Sequence, residues 1–143
     1  MKVKEYLNSI SRMEAFVVSK RQRAEAFRSA AVNISAAPIS DMPKSHGQSM
    51  SPMADAICKA IDLEAEIKQD EYKIQQKKLF LLELIGALED IDMQCIMIKR
   101  YIEKKPWNTI IEETFISRSW VYRLHKDAME QLDKTLSEYS DMP

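Results

Sequence analysis

Between Met53 and Leu88 an apolar residue returns every seven positions, at Met53, Ala60, Ile67, Ile74, Leu81 and Leu88, with Ala56, Leu63 and Leu84 at the companion position three later. A seven-residue repeat places these side chains in one stripe along an α-helix, whereas along a strand it would scatter them over both faces. At 1.5 Å per residue a helix of ~38 residues is about 57 Å long. That is too long for a compact globule of this size, so the helix needs a partner along its length. Asp70 and Lys77 interrupt the stripe, which predicts a weakly apolar middle section, solvated on most sides. Ser51-Pro52 supplies an N-cap followed by a proline at the first helical position, where its missing N–H costs nothing.

A second stripe runs from Val3 through Tyr6, Ile10, Met13, Val17, Ala24, Phe27, Ala31 and Ile34, broken at Lys20. It predicts a helix of ~30 residues, about 45 Å long. Between the two lies PISDMPKSHGQSMSP, residues 38–52, whose three prolines, four serines and glycine remove helix propensity and burial potential. A flexible loop over 35–51 is expected, with His46 a solvated loop residue. The two helices either close as an antiparallel hairpin or reach out as arms that pair with another chain. The chain holds only 2 glycines. Sheets and tight hairpins need turn glycines, so the fold class expected is all-α.

After Asp90 the pattern becomes short and dense. A helix is expected around Met93–Glu103, with Met93, Ile96, Met97 and Tyr101 inward. Pro106 cannot continue it but suits the start of the next, from Pro106 to about Glu113, with Trp107, Ile110 and Ile111 inward. Thr114-Phe115-Ile116 is then a turn, and Ser117 caps a last helix reaching about Ser137. A helix of about eight residues and one of about twenty, joined by a three- or four-residue turn, make a helix-turn-helix, whose second helix enters the major groove with its N-terminal residues toward base edges. The expected organisation is a long hairpin over 1–88, a helix-turn-helix domain over 89–137 and a tail over 138–143.

Charge sharpens this reading. The net charge is only −1, yet residues 99–126 carry seven basic and three acidic groups, while residues 127–143 carry one and five. In the last helix Val121, Leu124, Ala128 and Leu132 form a core stripe. The opposite side carries Arg118, Ser119, Tyr122, Arg123 and Lys126, with no acid before Asp127. This polarity suits a helix that meets double-stranded DNA with its first three turns. Arg118 and Arg123 are candidates for guanine edges or phosphates, Ser119 and Tyr122 for adaptable hydrogen bonds or thymine-methyl contacts, and Lys126 for the backbone. Lys104 and Lys105, beside the helix start at Pro106, make a candidate phosphate clamp. Trp120 falls between the two faces, and His125 reads as a packed, hydrogen-bonded histidine. The competing reading is that these are solvated charges on an amphipathic helix.

Other function classes find little support. No Ser or Cys has a companion base and orienting group, so an enzyme is not expected. Gly47 and Gly86 cannot build a phosphate-cradling loop, and the histidines lack zinc spacing, so neither cofactor nor metal is expected. Cys58 and Cys95 sit in apolar-periodic stretches and read as buried free thiols, which fits a reducing cytoplasm. No run reaches the ~18 apolar residues of a membrane span, and MKVKEYLNSISR has no signal-peptide core. The chain is therefore expected in the cytoplasm of a bacterial host, with no membrane partner.

The run RYIEKKPWNTIIEE followed by SRSWVYRLHKDAMEQL resembles the DNA-binding segment of phage regulators of the ArpU and RinA kind, whose helix-turn-helix is similar to the fourth region of bacterial sigma factors. The opening KEYLNSI, the Ser/Pro-rich loop and MADAICKAIDLEAEI resemble a related phage and prophage family of Gram-positive bacteria. Tyr101, Trp107, Ile110, Ser117, Val121, Arg123, His125, Ala128 and Leu132 stand where that pattern has its repeated types. The resemblance implies a sequence-specific regulator of late phage transcription that binds a promoter-proximal site and touches RNA polymerase. A homodimer is expected, joined through the hairpin. The alternatives are a phage DNA-packaging recognition subunit and a helical structural adaptor that does not bind DNA. One departure stands out: where such proteins carry Leu-Gly at the turn, this chain has Thr114-Phe115. A left-handed residue other than glycine costs roughly 1 kcal/mol or more, so a different turn geometry is expected.

Overall fold

The computed structural model describes residues 2–36 and 51–139. Most of the loop expected over 35–51, with His46, lies outside them, as do tail residues 140–143. Among the described residues the fold is all-α: α1 (Val3–Ala36), α2 (Pro52–Gly86), α3 (Ile91–Met97) continued by a π-helical turn (Ile98–Ile102), α4 (Trp107–Thr114) and α5 (Arg118–Ser137). The Ser51 hydroxyl accepts from the Ala54 N–H at 3.1 Å, the cap expected at the start of α2. The chain divides into two compact units, Met13–Tyr72 and the combination of Met1–Arg12 with Lys73–Pro143.

The unit from Met13 to Tyr72 is an antiparallel helix pair, so the hairpin closes within one chain. Its register is fixed by two pairs in which the later position on α1 meets the earlier one on α2, Lys20 with Asp70 and Arg28 with Glu64 in a two-pronged contact of 2.5 and 2.9 Å, while Arg21 meets Glu71 beside the first. Val17, Ala24 and Ala31 are buried from α1, and Ala56, Ala60, Leu63 and Ile67 from α2. The heptad break at Lys20 is not solvated. Lys20 is 8% exposed, and its ammonium donates to Asp70 at 2.6 Å and lies 3.4 Å from Glu66. The hydrogen bond to Asp70 is the main reason its pKa is raised above the ordinary lysine value. The Asp70 break is thus the partner of the Lys20 break. Two polar interruptions at matching heights thus satisfy each other along the stripe, while Lys68, Gln69, Tyr72, Lys73, Gln75 and Gln76 around it are exposed, the solvated middle expected of α2.

The second unit gathers both ends of the sequence. The Val3 N–H donates to Asp133 Oδ1 at 2.7 Å, tying the first turn of α1 to α5. The Tyr6 hydroxyl donates to the Lys77 carbonyl at 3.3 Å while the Lys77 ammonium lies 4.7 Å from the Tyr6 ring centre, so the third heptad break is also partnered. Tyr6, Phe80 and Tyr139 form an edge-to-face row at 5.6 and 5.2 Å. Tyr139 was expected in a tail and instead packs. The unit boundary therefore does not fall at the expected residue 88. The first twelve residues and the second half of α2 share a core with the C-terminal helices, because α5 carries Leu132 and Leu136 beyond the short helices, and both are buried.

Asp90 starts α3 by accepting the Asp92 and Met93 N–H groups at 2.8 and 3.3 Å. α3 packs chiefly against α5. Ile96, Met97, Ile110, Val121, Leu124 and Ala128 are buried where the short helices meet. Cys58 and Cys95 are free thiols, half-buried rather than fully buried.

Candidate nucleic-acid interface

α4 begins at Trp107, one residue later than expected, because Pro106 is extended (φ −68°, ψ 155°) and occupies the cap position. Ile110 is buried, while Trp107 and Ile111 are half-buried. After Thr114, whose hydroxyl donates back to the Ile110 carbonyl at 2.7 Å, Phe115 takes the left-handed conformation with φ 58° and ψ 28°. The turn thus has the ordinary left-handed geometry with phenylalanine in place of glycine, and the different geometry expected is corrected. Ser117 is extended and its hydroxyl accepts from the Trp120 N–H at 3.4 Å, the cap expected for α5.

α5 divides as its spacing predicts. Val121, Leu124, Ala128, Leu132 and Leu136 are buried, whereas Arg118, Ser119, Tyr122, Arg123 and Lys126 are all exposed. Arg118 reaches from α5 to the start of α4, donating to Asn108 Oδ1 at 2.6 Å and to the Tyr122 hydroxyl at 3.4 Å. Neither acceptor is a carboxylate, and a fork with five N–H donors has others to offer. The Arg123 guanidinium lies 5.5 Å from the ring centre of Trp120, which is 47% exposed, so this aromatic stiffens an arginine at the edge of the outward face.

The expected clamp of Lys104 and Lys105 is not brought together as a pair. Lys104 is exposed, with φ 58°. Lys105 instead donates to both Glu113 oxygens at 2.9 and 2.8 Å and lies 3.1 Å from Glu103, while Lys99 also reaches Glu113 at 2.7 Å. Its pKa is raised mainly by the hydrogen bond to Glu113, whose own pKa is lowered mainly by Lys105. Within the chain Lys105 therefore acts as a brace onto α4.

Sequence reasoning missed the π turn and what it does. Three consecutive residues engage the helices behind the outward face: Lys99 pairs with Glu113, Arg100 lies 4.7 Å from the Trp107 ring centre and donates to the Lys105 carbonyl at 3.2 Å, and Tyr101 meets His125. The stripe Met93, Ile96, Met97 and Tyr101 keeps ordinary helical spacing, so no local pattern marked the π turn. His125 is packed and hydrogen-bonded as expected: its Nε2 is 2.6 Å from the Tyr101 hydroxyl, and the Trp107 ring edge meets it at 4.9 Å. Burial, and secondarily the Arg100 charge, lowers its pKa below the ordinary 6.5. Trp107 also contacts Tyr122 at 5.2 Å, so one indole locks the π turn, α4 and the outward face of α5 together. Ser11, Arg100, Tyr101 and Lys104 line a cleft of about 270 Å³ in the same unit.

No described helix is long and apolar enough to cross a membrane. Neither the curated proteins nor the solved structures give a match to this chain. A model of the family described as Protein of unknown function (DUF1492) matches residues 35–133, which takes in all of α2, α3 and α4 and most of α5. With more than half of its length matched, the chain belongs to this family.

Proposed function

We propose that this protein is a sequence-specific DNA-binding regulator of transcription, acting through α5 as the recognition helix. One observation carries the reading: Arg118, Ser119, Tyr122, Arg123 and Lys126 are all exposed on the first three turns of α5, opposite its buried stripe and free of carboxylates until Asp127. Such a face attracts a polyanion and offers donors of the kind that read base edges. The Asn108 contact to Arg118 supports it by presenting that guanidinium at the α5 N-terminus, the end that enters a groove. Arg100 and Lys104, which share a cleft, replace the Lys104–Lys105 pair as phosphate contacts.

The resemblance to phage regulators of the ArpU and RinA kind extends this reading to control of late phage genes, with RNA polymerase as a further partner, without catalysis, in the host cytoplasm. As a homodimer the protein would set two α5 helices about 34 Å apart, one turn of DNA, or at a multiple of it. The test is a joint Arg118→Ala and Arg123→Ala variant of the full chain, assayed by anisotropy on duplexes selected from a random pool by the wild type. Binding is expected to fall at least a hundredfold, and the salt slope to shrink by about two, with helicity and oligomeric mass unchanged. Equal binding by the variant would remove α5 as the reading element.

A further inference from the structure

The turn between α4 and α5 carries a contradiction that the fold alone does not resolve. Phe115 is 94% exposed, so its ring buries almost nothing within the chain. It also holds φ 58°, a conformation in which a bulky side chain is strained and glycine is not. Glycine would relieve the strain and remove an apolar ring from water. Two independent features, exposure and backbone strain, thus make this ring a cost to the folded chain. Non-glycine strain of this kind collects at functional contacts.

Position indicates what the ring meets. Phe115 is two residues before the Ser117 cap and so within about 7.6 Å of it, Cα to Cα, whatever the course of the chain. The same end of α5 carries exposed Arg118 and Ser119 and has no acidic residue in its first turn. An occupant of this end must be anionic beside the arginine and apolar beside the ring. Duplex DNA is both, since the major groove lays thymine 5-methyl groups between two rows of phosphates. We propose that Phe115 is a DNA-contacting residue whose ring packs on a thymine methyl at the edge of the site read by α5. This rests on the DNA-binding reading above and adds a base preference to it.

The experiment uses the full chain and the duplexes that the wild type selects from a random pool, synthesised with thymine and with deoxyuridine, which lacks the methyl. Wild type is expected to lose about fourfold in affinity when the contacted thymine becomes uracil, the weight of one buried methyl. Phe115→Gly is expected to bind the thymine duplex on the order of tenfold more weakly, to be indifferent to the uracil exchange, and to melt at a higher temperature than wild type. A Phe115→Gly variant that binds as tightly as wild type, or that keeps the uracil penalty, overturns the proposal while leaving the reading helix in place. A lower melting temperature would assign the ring to the fold and overturn it too. Failure of the wild type to select any duplex removes both readings together.

Discussion

His125 lies on α5 between the exposed Tyr122 and Lys126, with Tyr101, Trp107 and the Arg100 charge around it. Burial and that charge favour the neutral ring, so the folded chain takes up a proton at lower pH than the unfolded one. The associated stability is complete above the ordinary value of 6.5 and is lost as pH falls through the lower folded value. Wild type is therefore expected to lose more melting temperature between pH 7 and pH 5 than His125→Gln, which keeps a polar group near Tyr101 but does not titrate; equal losses would assign the acid sensitivity elsewhere. Glu64 and Glu113 do not confuse the comparison, since their pKa values are lowered below 4.5 and they titrate outside this window. Single residues also show where reading the sequence stopped. Lys20, Asp70 and Lys77 were visible as breaks in two stripes, but their partners, Asp70 for Lys20 and the Tyr6 ring for Lys77, are set by the register between helices. A heptad pattern gives each helix its phase and says nothing of the height at which it meets another.

At the scale of elements, the short helices depend on their ends. α3 is seven residues long, too short to be stable alone, and Asp90 satisfies two of its free N–H groups. Asp90→Ala is expected to cost about 1 kcal/mol in denaturant unfolding, with the slope of the transition unchanged. The caps at Ser51 and Ser117 were legible because a serine before a helical pattern has a local meaning. The π turn was not, because one additional residue in a helical turn is decided by what the side chains on either side find. Here Lys99, Arg100 and Tyr101 find Glu113, Trp107 and His125, all on later helices. The turn at Phe115 lies between these cases: its place was evident, but its left-handed geometry conflicts with its own residue and follows from the packing of α4 and α5.

For the whole molecule, the units cut across the sequence. Tyr6 meets Lys77 and Phe80, which ties the start of α1 to the last part of α2 within one unit that is bounded in sequence at Arg12 and Lys73. A chain in which a short Gly/Ser linker joins Arg12 to Lys73 is expected to unfold cooperatively, with the helicity of its remaining residues intact by circular dichroism. A fragment beginning at residue 89 is expected to lose that cooperativity, since it lacks Val3, Tyr6, Leu7, Ile10, Phe80 and Leu81, all buried in the same unit. A cooperative fragment from 89 would restore the simpler division into hairpin and separate C-terminal domain.

The sequence by itself determined the helices, their apolar faces, most caps and the outward cations of α5, because periodicity, proline, serine and charge act over a few neighbouring residues. The family match over residues 35–133 agrees in extent with the part of the chain that carries most of these signals. Only the tertiary structure decided that the hairpin closes within the chain, that Lys105 braces Glu113 rather than facing outward, and that the first turns of α1 complete the core around α5. These depend on contacts between residues 8 to 130 positions apart. Their energy is settled by which surfaces meet, and local patterns hold no record of it.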